Sequence, residues 1–164
     1  SIAILQEAGL ISATELTPYT FWLLNPDVSW DRHLLRKAFP KERFLHYSTK
    51  TSLKDIDWNA TPLVPGDFLY LYAGTGGNFE HMLVVSRVDS EGRAYSVTNF
   101  NTPDGFLIGE VLLYNPKDPQ AGMFHTWTQR PNALLGSTGF GGFELWRLRA
   151  TEKLFPNTLL SSRP

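Results

Sequence analysis

Between residues 65 and 114 turn-forming residues alternate with runs of strand formers, and this alternation restricts the fold more than any other feature of the chain. Pro65-Gly66-Asp67 is turn chemistry and leads into Phe68-Leu69-Tyr70-Leu71-Tyr72, all strand formers. The glycine-rich residues 73–78 read as a loop and His81–Val88 as a second strand. Asp89-Ser90-Glu91-Gly92 is a hairpin turn with Arg93–Asn99 as the returning strand. Thr102-Pro103-Asp104-Gly105 turns the chain again, Phe106–Tyr114 is the next strand, and Gly142–Arg149 the last. These segments predict one antiparallel sheet.

Before residue 60 the period is helical. Ile2, Leu5 and Ala8 repeat at helical spacing, with Gly9 placed to end that helix. Thr17-Pro18 reads as a cap and first helical residue for a short helix over Tyr19–Leu24, stopped by Asn25-Pro26. Asp27 or Ser29 can cap a third helix through Trp30, Leu34 and Ala38, ended by Pro40. Residues 115–141 read as irregular and 151–164 as a loose tail. Helices followed by an antiparallel sheet define the α+β class. The 164 residues fit a single domain, 1–60 helical and 61–150 sheet, large enough to fold without a disulfide or metal.

Charge is balanced along the chain, with 15 basic and 16 acidic residues, and no basic patch points to nucleic acid. The longest apolar run, Phe68–Ala73, is far short of the roughly 18 residues of a membrane span. The absence of cysteine excludes a disulfide framework, a thiolate metal site and an internal cysteine nucleophile. A chain that starts at Ser1 rather than Met reads as processed, trimmed or a fragment.

The loop Gly74-Thr75-Gly76-Gly77 lacks the Lys-Ser/Thr of a phosphate-binding loop and precedes a strand, so it reads as a connection. Of the histidines His33, His46, His81 and His125, none is paired at metal-binding spacing, and neither metal nor cofactor is expected. His33 shares a solvated face with Arg32 and Arg36, and His46 and His125 receive no role. His81 opens a strand directly after the glycine-rich loop. Counting back from a turn near Glu91 sets it opposite residues 99–101, where cross-strand neighbours are about 4.5–5.5 Å apart at Cβ. The amide of Asn99, or that of Asn101, is then placed to orient the imidazole, as a general base requires. The plainer alternative is a half-exposed histidine at the sheet rim.

The run Pro65-Gly66-Asp67-Phe68-Leu69-Tyr70, followed after a loop by His81-Met82-Leu83-Val84-Val85, resembles the core of the NlpC/P60-type, papain-like cysteine peptidases. Phe143-Glu144-Leu145-Trp146-Arg147 resembles their closing strand. The similarity covers Leu63 to Asn101 by motif and the rest by order of elements. It implies a papain-like fold, with N-terminal helices packed on a five- to six-stranded antiparallel sheet or partly open barrel. It further implies hydrolysis of amides in peptides, bacterial cell-wall peptides among them, with His81 as base and Asn99 or Asn101 as orienter. A secreted or periplasmic location is favoured by the resemblance alone.

The family's nucleophile is a cysteine at the start of the first helix, where the helix dipole lowers a thiol pKa from about 8.5. The segment Glu7-Ala8-Gly9-Leu10 resembles the end of that helix and puts the cysteine about one turn upstream of Ser1. Three readings follow: the cysteine precedes Ser1, it has been lost, or Ser1 acts in its place. A non-catalytic binding module of the same fold is the rival reading, its 22 aromatic residues offering stacking surface for peptide or glycan. A metal hydrolase built on His81 and scattered carboxylates comes third.

Overall fold

The computed structural model describes residues 2–16, 23–74, 80–102, 105–129 and 138–149. Helix α1 (Ile2–Glu7) buries Leu5 and ends at Gly9, whose φ of +67° is a conformation that residues with a Cβ avoid. Helix α2 (Ala13–Leu16) is a single turn absent from the sequence reading. Its signal is Ser12-x-x-Glu15: the Ser12 backbone N–H and hydroxyl both donate to Glu15 Oε2 at 2.8 Å. The helix expected over Tyr19–Leu24 falls outside the described residues as far as position 22, and Leu23 and Leu24 are not helical. Helix α3 (Ser29–Ala38) forms where expected and buries Leu34, Leu35 and Ala38. Neither Asp27 nor Ser29 is its cap; Val28 holds that position without a side-chain bond.

Six strands form one antiparallel sheet in the order β1-β6-β2-β3-β4-β5. They are β1 (Phe44–Thr49), β2 (Phe68–Ala73), β3 (His81–Val88), β4 (Ala94–Thr102), β5 (Gly105–Tyr114) and β6 (Thr138–Leu148). Strand β1 corrects the expectation that residues 1–60 are helical. Phe-Leu-His-Tyr-Ser-Thr is aromatic and β-branched, and pairs with β6 from Phe44↔Leu148 to Thr49↔Phe143. A second correction lies in the stretch expected to be irregular, where helix α4 (Met123–Gln129) forms. Its residues are mediocre helix formers, so the helix exists through packing, with Phe124 buried and Trp127 against the core. Gly122 leads into it at φ +105°, and a Cβ there would meet the Leu113 carbonyl oxygen at 2.5 Å.

The sheet separates two apolar clusters. On one face Phe68, Tyr70, Met82 and Trp146 pack against Leu5, Leu34, Leu35 and Phe39 from the helical first third. On the other, Leu69, Leu71, Leu83, Val85 and Phe143 pack against Trp58 and Phe124. Strand β2 is therefore buried on both faces, which is why it reads as an unbroken apolar run. The Gly66-Asp67 turn that starts it is tied to β6: Arg147 Nε donates to Asp67 Oδ1 at 2.8 Å and its terminal nitrogen to Oδ2 at 2.6 Å. Asp67 is fully buried and accepts the Val64 N–H as well.

Candidate active site

His81 is the first residue of β3, paired with Leu71 of β2, and is 5% exposed. Its Nε2 lies 2.6 Å from Thr98 Oγ1 on β4, and its ring is 5.2 Å from that of Trp127 on α4. The Nε2 bond goes to Thr98 and not to Asn99, the first of the two expected partners. Asn99 is exposed and pairs across with Ile108 of β5, on the face that also exposes Val97. The backbone of Asn101 pairs with Phe106; its side chain lies outside the described residues.

A β-bulge explains the difference. From the hairpin turn the register runs Val88↔Ala94 and Arg87↔Tyr95, then jumps to Val85↔Ser96, leaving Ser86 as the extra residue of β3. Ser86 instead donates its hydroxyl to the Tyr95 carbonyl. A bulge displaces the count by one residue, and with period two that exchanges the faces. Without it Asn99 would share the face of His81; with it Ser96 and Thr98 do, and both are buried. Thr98 was missed for this reason. The only sequence signal is a polar residue, Ser86, interrupting an apolar strand.

His81 shares its face of β3 with Leu83 and Val85, members of the cluster that packs on Phe124. Helices α1 and α3 pack on the opposite face, around Met82. The imidazole stands at the start of β3 against Trp127 of α4, and the positive charge of the chain's N-terminus, from which α1 runs, also acts on it. Burial pushes its pKa from 6.5 down to about 4, so the ring is neutral at pH 7.

This depressed pKa makes stability depend on pH in a fixed direction. Between pH 6.5 and 4 the unfolded chain binds a proton at His81 that the native chain does not, so stability rises with pH through that window. Acidification across it should cost on the order of 3 kcal/mol. Denaturant unfolding at several pH values should show the loss in the parent and a flatter profile in His81→Gln. Identical profiles would mean that His81 titrates alike in both states.

Two further polar groups line the helical face of the sheet. Glu144 accepts from the Tyr72 hydroxyl at 2.9 Å and is hydrogen-bonded to His46 Nε2. Tyr70 donates to Glu80, which also accepts from Asn25 Nδ2 at 2.9 Å. Burial, followed by the adjoining carboxylate, raises both tyrosine pKa values, so both hydroxyls stay protonated. His33 is exposed, as its helix face predicts. Among the described residues no cluster of three or more His, Asp or Glu is placed to hold a metal. No helix there is long and apolar enough to cross a membrane. No protein-family model, no curated protein and no solved structure matches the chain.

Proposed function

We propose that the protein is a papain-like amide hydrolase acting on peptides, with bacterial cell-wall peptides as the substrate class. His81 is its proton carrier and Thr98 takes the orienting role first read for Asn99. The observation that supports this is the 2.6 Å bond between His81 Nε2 and Thr98 Oγ1. The bond at Nε2 fixes the plane of the imidazole, and the ring's neutral state at pH 7 suits a base. The resemblance of the strands around Asp67 and His81 to the NlpC/P60 type supplies the reaction class, and with it a cysteine nucleophile preceding Ser1.

In this mechanism His81 takes the thiol proton and the thiolate attacks the amide carbon. The protonated imidazole then gives that proton to the departing amine as the C–N bond breaks, leaving a thioester. A water molecule, deprotonated by His81, cleaves the thioester and releases the acid. The cysteine returns to the thiol as the imidazole gives up its proton.

The test uses the chain together with its natural upstream residues. Stem-peptide hydrolysis should be detectable and should vanish after treatment with iodoacetamide, which alkylates thiols and leaves an alcohol nucleophile untouched. Turnover that survives alkylation would overturn the thiol mechanism. Absence of turnover before alkylation would overturn the hydrolase reading in favour of a binding module.

A further inference from the structure

A groove of about 530 Å³ opens between α3, the turn that follows it, and strands β1 and β6. That volume falls within the range of about 300–1,000 Å³ typical of small-ligand sites. Its walls are apolar at Leu35, Phe39, Phe44 and Trp146. The indole of Trp146 is held between two rings, Phe39 at 5.2 Å and His46 at 5.1 Å, both nearly parallel to it. This side of the groove is therefore rigid.

The polar groups around it are mostly donors without acceptors. Arg36 and Lys41 stand exposed on the rim, and neither side chain makes a hydrogen bond or ion pair among the described residues. Their neighbours differ: Arg32 Nε is tied to the Pro26 carbonyl at 2.6 Å, and Lys37 pairs with Glu15. Trp146 is 6% exposed, and its indole N–H has no acceptor among the described residues. That nitrogen is not sealed off, because the one fully enclosed side-chain atom without a partner there is Ser52 Oγ. On the acceptor side Glu144 is engaged by His46 and Tyr72, which leaves Glu42 as the rim carboxylate without a partner among the described residues. Arg32, whose bonds go to backbone carbonyls, Arg36 and Lys41 stand against Glu42 and Glu144, a surplus of one positive charge that favours a singly charged anion over a polyanion.

We propose that this groove binds a small organic monoanion, a carboxylate carried on an aromatic or branched apolar body. The carboxylate meets Arg36 and Lys41, Arg36 through its two-pronged fork, and the body lies against Phe39, Phe44 and the edge of Trp146. The site is independent of the hydrolase reading, since neither His81 nor a thiol takes part.

The probe is N-acetyl-phenylalanine, compared with its uncharged amide, on the 164-residue chain. Proton–nitrogen spectra report on the Trp146 indole N–H, assigned through Trp146→Phe. The acid should shift that resonance saturably, and the amide should bind about tenfold to a hundredfold more weakly, the worth of a charge-assisted hydrogen bond. Arg36→Ala combined with Lys41→Ala should weaken the acid to the level of the amide, while Arg36→Lys retains part of the affinity. Both residues are exposed, so folding is not at stake. Equal binding of acid and amide, or no movement of the Trp146 signal at millimolar acid, would overturn the proposal.

Discussion

Under the proposed mechanism, replacing His81 by alanine in a chain extended to carry the nucleophile cysteine should lower stem-peptide turnover by about 10²–10⁴-fold, the usual worth of a positioned proton carrier. His81 is 5% exposed, so alanine also leaves a cavity, and His81→Gln is the companion that keeps the volume. Both should lose turnover, and the glutamine variant should melt near the parent. If His81→Gln folds normally and hydrolyses at the parental rate, His81 is not the base. Thr98→Val tests the positioning role. It should lower kcat with KM unchanged, because it acts on the ring and not on substrate, and Thr98→Ser should recover most of the loss by restoring the hydroxyl. Asn99→Ala should leave turnover unchanged, since its side chain is on the opposite, exposed face.

Arg147→Ala should be the most destabilising single substitution on the sheet's polar framework. It strips the guanidinium from Asp67, whose carboxylate has no exposure to solvent. Removing one partner of a buried pair typically costs about 3–5 kcal/mol. Arg147 itself is 29% exposed at the side chain, which favours the lower end because water can partly replace it. For a chain of this size that corresponds to a fall of roughly 10 °C in Tm. Arg147→Lys should recover only part, because an ammonium cannot make the two parallel bonds to Oδ1 and Oδ2. A loss under about 1 kcal/mol, read by denaturant unfolding, would show that solvent reaches Asp67 and that the pair is peripheral.

The sheet was largely legible in the sequence, and the reasons are local. Strands β2 to β5 are bounded by turn residues, and their alternation needs no distant information. Strand β1 was hidden because its partner, β6, is remote in the chain, and a short aromatic segment next to a helix carries no turn signal of its own. Helix α4 was hidden for a related reason: its residues prefer no helix, and what holds it is the cluster around Phe124. At the candidate site the histidine could be read, because it opens a strand after a glycine-rich loop. Its partner could not. The extra residue at Ser86 moves the pairing by one position, which replaces Asn99 with Thr98, and a bulge is decided by twist and packing across strands.

The position of β6 has a consequence for how the chain is made. Strand β1 pairs with β6 alone, about a hundred residues further on, and β6 also separates β1 from β2. At a synthesis rate of about 5–20 residues per second, Phe44–Thr49 leave the ribosome roughly 5–20 seconds before their partner exists. Strands β2 to β5 can meanwhile zip together as successive hairpins, with one edge of β2 still bare. The nascent protein therefore passes through a stage with an open, apolar seam at the middle of its future sheet. It closes only when residues 138–148 slide between two segments already made, so among the described strands the one translated last completes the architecture.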